Sequence, residues 1–108
     1  MNDYRFFNYK LNKNITKNQL TVNGFYHNQK IVDVYKNLIV LKMYIENEDD
    51  KPYFCYEVFD VCNNSLYSPY YAGGDNENLV LKEVKRNVKK TLDNLVLAKV
   101  LRLKNEND

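Results

Sequence analysis

The residue pattern predicts an α+β domain: an antiparallel sheet of about five to six strands, curled or forming a partial barrel, packed by one C-terminal amphipathic helix over about 76–97. Three observations lead there. Leu38–Ile45 and Tyr53–Val61 are rich in β-branched, aliphatic and aromatic residues and flank a run of acids and turn formers, Glu46–Pro52. One register of those two segments sorts them into an apolar face and a mixed one. From Asn78 onward the apolar spacing changes from that of a strand to that of a helix. The chain of 108 residues has no repeat and no linker, so a single domain, 1–108, is expected.

From the start of the chain, Tyr4–Leu11 reads as a first strand with Phe7, Tyr9 and Leu11 on one side. Asn12–Asn18 is a polar connection anchored by Ile15. Leu20–Val22 reads as a short strand that reverses at Asn23-Gly24, a favoured hairpin pair, into Phe25-Tyr26. His27–Lys30 is a second candidate turn. Ile31–Tyr35 is strand-like, with a short helix over 31–41 as the alternative.

In the central segments the polar residues reveal the register, because neighbours along a strand point to opposite faces. If Ile45 pairs with Phe54, Met43 lies opposite Tyr56, Leu41 opposite Val58 and Lys42 opposite Glu57. The inner face is then Ile39, Leu41, Met43, Ile45, Phe54, Tyr56 and Val58, and a Lys42–Glu57 ion pair crosses the other. That other face also carries Leu38, Val40, Tyr44, Tyr53, Cys55, Phe59 and Val61. Either a further layer covers it or it meets a partner. Asn63-Asn64 predicts a two-residue turn that sets Val61 opposite Leu66. Pro69 confines the returning strand, Ser65–Tyr71, to a sheet edge.

Gly73-Gly74 makes the turn into the helix, with Asp75 or Asn76 as N-cap and Glu77 in the first turn, where the dipole favours a negative charge. Leu81, Val84, Val88, Leu92 and Leu95 form one stripe, expected to lie across the inner face of the sheet. Beyond Leu97 the apolar residues spread around the cylinder. Lys99–Lys104 therefore either extends the helix or forms a short terminal strand.

Several function classes lack their residues. The start Met1-Asn-Asp-Tyr-Arg has no apolar signal core and no apolar run could span a bilayer, which predicts a cytoplasmic protein without a membrane partner. Cys55 and Cys62 stand an odd number of positions apart, so on one strand they could not bridge. His27 is the only histidine and has no Cys, Ser or acid at a catalytic spacing. Glu46, Glu48, Asp49 and Asp50 lack the alternation and central glycine of a calcium loop, and Gly73-Gly74 precedes no phosphate-loop lysine. The expectation is a non-enzymatic protein with no catalytic residue, metal or cofactor.

Two surfaces remain. Between Leu79 and Lys104 eight bases face two acids, a net charge of +6, whereas the rest of the chain carries −4. Lys82, Arg86, Lys89 and Lys90 project from one side of that helix and suit contact with phosphates. Tyr44, Tyr53, Phe59, Val61, Tyr67, Tyr70 and Tyr71 offer surface of the kind enriched at protein interfaces. Thirteen lysines against three arginines, abundant Asn and Tyr, and no Trp match the AT-rich codons of low-GC bacteria, their phages and plasmids. These readings lead to a small binding protein of a phage or mobile element that docks on a host protein, such as an inhibitor of a bacterial defence system of the CRISPR kind. A homodimer is a further use for the aromatic face. The alternative is a nucleic-acid-binding protein that uses the basic helix.

Overall fold

The computed structural model describes residues 9–72 and 78–103. Phe7 with the start of the first strand, the Gly73-Gly74 turn, the N-cap expected at Asp75 or Asn76 with Glu77, and Lys104 lie outside the described residues. In chain order the elements are β1 (Tyr9–Leu11), α1 (Lys17–Val22), β2 (Gln29–Tyr35), β3 (Ile39–Glu48), β4 (Lys51–Asp60), β5 (Ser65–Leu66), α2 (Ser68–Ala72), α3 (Leu79–Leu97) and β6 (Leu101–Leu103). An antiparallel sheet has the order β2-β3-β4-β5, and β1 pairs with β6 in a separate antiparallel ribbon. The architecture is α+β, and the sheets do not close into a barrel. Among the described residues no helix is long and apolar enough to cross a membrane.

The β3–β4 hairpin adopts the register expected from its polar residues, with Ile45 opposite Phe54, Met43 opposite Tyr56, Leu41 opposite Val58 and Lys42 opposite Glu57. Asp49 (φ 53°) and Asp50 (φ 64°) turn the chain between Glu48 and Lys51, the left-handed pair that suits the twist of antiparallel strands. Leu41, Met43, Tyr56 and Val58 are buried beneath it. β2 pairs along the other edge of β3, which excludes a helix over 31–41. A register shift between Asp33 and Tyr35 bulges β2 at Val34, whose side chain sits in the core. Asp33 Oδ1 accepts from the N–H groups of Tyr35 (3.1 Å) and Asn37 (2.7 Å), which holds the tight turn at Lys36-Asn37.

Asn23-Gly24 makes no hairpin. The segment before it is α1, begun by a capping box: Thr16 Oγ1 accepts from the Gln19 N–H (3.1 Å) and Gln19 Oε1 from the Thr16 N–H (2.9 Å). Gly24 (φ 92°) ends it, its N–H donating to Thr21 O (3.0 Å) and that of Phe25 to Leu20 O (2.9 Å). This is a Schellman terminus, and Leu20 and Phe25 are both buried, as such an ending favours. The hairpin turn lies at His27 (φ 54°) and Asn28 (φ 63°), between Tyr26 and Gln29.

The returning strand also differs from expectation. Asp60 accepts from the Asn63 backbone N–H (3.2 Å) and side-chain amide (2.7 Å), so the reversal spans 61–64 and Phe59, not Val61, lies opposite Leu66. β5 stops at Leu66 and the edge strand expected through Tyr71 is replaced by α2. Pro69 falls in the first turn of α2, where a helix needs no N–H donor.

Asn78 Oδ1 accepts from the Leu81 N–H at 2.8 Å and starts α3 at Leu79, later than expected. The stripe Leu81, Val84, Val88, Leu92 and Leu95 is buried and shares one core with Leu41, Met43, Tyr56 and Val58. Asn87 Nδ2 donates to Val34 O (2.9 Å), tying the helix to the β2 bulge.

The helix ends in a second Schellman turn: the Lys99 N–H donates to Val96 O and the Val100 N–H to Leu95 O, each at 3.0 Å. That turn sends Leu101–Leu103 back as β6, the terminal-strand alternative. Lys99 itself takes φ 64°, where a side chain costs about 1 kcal/mol that glycine avoids. Lys99→Gly is expected to raise stability by about 0.5 kcal/mol after the added entropy of the unfolded chain. Chemical denaturation measures this, and a lowered midpoint would count against the argument.

Candidate functional site

The outer face of the four-stranded sheet carries an apolar row. Val40 lies opposite Phe59 and Phe59 opposite Leu66, with Ile31 one step along, opposite Lys42. Leu38 and Val61 stand at the end of this row, where the Val61 N–H donates to Leu38 O (3.0 Å) and links two chain reversals. Ile31 (52%), Leu38 (45%), Tyr53 (44%), Val61 (47%) and Leu66 (45%) keep about half of their surface in water.

The expected Lys42–Glu57 ion pair does not form, although the two residues are opposite one another. Lys42 Nζ sits 3.7 Å from the centroid of the Phe59 ring, and Glu57 Oε1 lies 3.4 Å from the Tyr44 hydroxyl. A cation on a ring and an exposed ion pair are each worth at most about 1 kcal/mol, so neither dominates. The lysine stem on Phe59 also covers apolar surface. Tyr44 and Cys55 face one another further along the same side, both half-buried. Burial, then Glu57, raises the Tyr44 phenol, and burial, then Glu46 and Glu57, pushes the Cys55 thiol up. Both effects disfavour the thiolate and make Cys55 a poor nucleophile.

The other tyrosines singled out from sequence brace the fold. Tyr67 is buried, and its N–H donates to Val58 O (2.8 Å). Tyr70 and Tyr71 pack against the core with rings 5.2 Å apart. The Tyr70 hydroxyl lies 3.0 Å from that of Tyr56, and the Tyr71 hydroxyl accepts from the Val58 N–H at 2.9 Å. They sit behind the sheet edge instead of forming it. Val61 lies in the loop beyond β4, and Tyr53 on β4 at the far end of the face.

Lys82, Arg86, Lys89 and Lys90 are exposed along α3, on the side away from its buried stripe. Lys89 is engaged: its Nζ lies 2.6 Å from Asp93 Oδ2. Asp93 Oδ1 accepts from the Tyr9 hydroxyl at 2.8 Å, which ties β1 to the helix. The Lys89 ammonium, and after it the Tyr9 hydroxyl, hold the Asp93 carboxyl below its ordinary range. Lys82, Arg86 and Lys90 repeat every fourth residue, a stripe of about 12 Å along the helix.

A cleft of about 940 Å³ lies between β1 and the first half of β4. Its walls include Tyr9, Leu11, Phe54 and Cys55, with Lys10, Lys13, Lys51 and Arg102 around them. Among the described residues no group of three or more His, Cys, Asp or Glu gathers as metal ligands would. Ile31 and Leu66 were not foreseen in the outer face, since their place depends on the β2 and β5 registers. The period-two alternation of Gln29, Ile31 and Asp33 was the available signal. No protein-family model, curated protein or solved structure matches the chain.

Tyr9→Phe removes the hydroxyl that reaches Asp93 and is expected to cost about 1 kcal/mol at neutral pH. Asp93 is depressed in the folded state, so its contribution is complete above the ordinary Asp value of 3.8 and is lost as pH falls through the lower folded value. The gap between wild type and variant in urea denaturation should narrow below that value. A gap that stays constant into acid would show that the carboxylate charge plays no part.

Proposed function

We propose that the protein is a small non-enzymatic docking protein of a phage or mobile element, meeting a host protein through the outer face of its four-stranded sheet. A component of a bacterial defence system such as CRISPR is the kind of target we have in view. The row Val40–Phe59–Leu66, with half-exposed Ile31, Leu38 and Val61 around it, carries this reading. Contiguous apolar surface of this kind on a small protein marks interaction sites more often than chance. Phe59 is the central aromatic, with Lys42 and Glu57 as a polar border. The AT-rich residue choice supports the origin, and the burial and acidic neighbours that disfavour the Cys55 thiolate argue against nucleophilic chemistry there.

A second reading, nucleic-acid binding, draws support from the Lys82–Arg86–Lys90 stripe and the +6 charge of residues 79–104. The engagement of Lys89 with Asp93 weakens it.

Phe59→Glu with Leu66→Glu is expected to leave the circular dichroism spectrum unchanged. It should remove any protein retained by the tagged wild type from nuclease-treated host extract. Aromatic residues at the centre of a contact contribute ~2 kcal/mol or more, so affinity for a purified target should fall at least about thirtyfold. A target held equally by both forms would move the interface elsewhere. A dimer seen by sedimentation and lost in the double variant would give the face to a second copy instead.

For the basic helix the expectation is little binding to random single- or double-stranded oligonucleotides near physiological salt. Submicromolar binding that falls steeply with salt and vanishes in Lys82→Glu, Arg86→Glu, Lys90→Glu would promote the second reading over the first.

A further inference from the structure

We propose that the groove between α1 and the His27–Asn28 turn is a binding site for a small phosphate monoester. It shares no residue with the outer face or the basic helix, and it stands independently of the function proposed above.

Two chain reversals give the groove its shape. α1 ends in the Schellman turn at Gly24, where the Phe25 N–H donates to Leu20 O (2.9 Å). Leu20 and Phe25, both buried, form the floor of a cavity of about 380 Å³. The chain then reverses at His27 and Asn28. The Tyr26 N–H donates to Gln29 O (2.7 Å) and the Gln29 N–H to Tyr26 O (3.1 Å), which closes that turn. Asn28 O accepts from the Ile45 N–H (2.9 Å), and Lys30 Nζ donates to Asn23 O (2.7 Å), joining the end of α1 to β2. Backbone contacts thus fix both sides of the groove before any ligand arrives.

The polar lining sets the chemistry. α1 contributes Lys17 and Thr21, one turn apart on the same face, and the turn contributes His27 and Asn28. Together they offer an ammonium, a hydroxyl, a ring N–H and a side-chain amide, and an imidazole keeps one N–H even when neutral. Among the described residues none of these four side chains makes a hydrogen bond or an ion pair. The His27 ring is steadied by the Tyr26 ring, 4.4 Å away and edge to face. No carboxylate is among the lining residues. A cationic ligand would meet Lys17, and an apolar one would leave the four donors unmatched. A phosphate monoester supplies both negative charge and several acceptor oxygens. The volume is at the small end of ligand pockets, so the ester is sugar-sized. The helix start takes no part, because Thr16 Oγ1 already accepts from the Gln19 N–H.

The test titrates the full-length protein with inorganic phosphate and with a pentose phosphate, at constant pH and ionic strength. His27 is the single histidine, so its ring protons report on the groove directly in nuclear magnetic resonance spectra. Both ligands should shift those protons and saturate, the ester at the lower concentration. The free pentose and sodium chloride should not. Lys17→Ala and Asn28→Gly should each weaken binding about tenfold or more, as loss of a hydrogen bond to a charged group implies. Alanine suits the helix and glycine the left-handed turn, so both variants should keep the wild-type circular dichroism spectrum. Lys82→Glu, Arg86→Glu, Lys90→Glu should leave binding unchanged. The proposal fails if the shifts do not saturate, if chloride reproduces them, or if the two folded groove variants bind as tightly as wild type. An equal loss in the helix variant would also overturn it, by showing that net charge alone attracts the anion.

Discussion

The register of the β3–β4 hairpin is the constraint on which the rest of the molecule depends. A slip of one residue would carry one strand's inward set, Ile39, Leu41, Met43 and Ile45 or else Phe54, Tyr56 and Val58, from the core into water. At about 1.5–3 kcal/mol for each buried side chain, that loss rivals the whole stability of an ordinary domain, roughly 5–15 kcal/mol. The Asp49-Asp50 turn and the interdigitation with α3 enforce the same register from two directions. Once it is set, β2 follows along one edge, β5 along part of the other, and the outer face acquires its composition.

The reversals share a chemistry that makes them hard to read. His27, Asn28, Lys36, Asn37, Asp49, Asp50, Asn64 and Lys99 all take positive φ without being glycine. Asn and Asp tolerate that region because their short side chains bond locally, whereas lysine is held there by its neighbours. The one Asn-Gly pair, meanwhile, ends a helix. Its glycine satisfies the same left-handed requirement in a Schellman turn as it would in a hairpin, so the dipeptide alone does not distinguish them.

How much was legible varies with the range of the interaction concerned. The β3–β4 register follows from Lys42 and Glu57 falling in phase, and the α3 stripe from its own period. α1 was encoded in Thr16 and Gln19, a capping box whose weight exceeds the strand preference of Thr21 and Val22. The third strand was misplaced because the Asp60 side chain, and not the Asn63-Asn64 backbone, sets the reversal. In the candidate surface, Tyr44, Tyr53 and Phe59 could be placed from two adjacent strands. Tyr67, Tyr70 and Tyr71 could not, since their fate depends on Val58 and Tyr56 accepting them as braces. The cleft was illegible for a stronger reason: β1 pairs with β6 across nearly the whole chain, and local pattern carries no information about such a contact.

The hydrogen bond from Val61 to Leu38 has a consequence for the energetics of recognition. Those residues occupy two separate chain reversals, which would ordinarily fluctuate independently and have to be immobilised on contact. One backbone bond couples them, while the lysine stem over Phe59 restricts the ring at the centre of the row. A surface organised in this way enters a complex with much of its ordering entropy already lost during folding. Its association would accordingly approach rigid-body docking, with the partner supplying most of the adjustment.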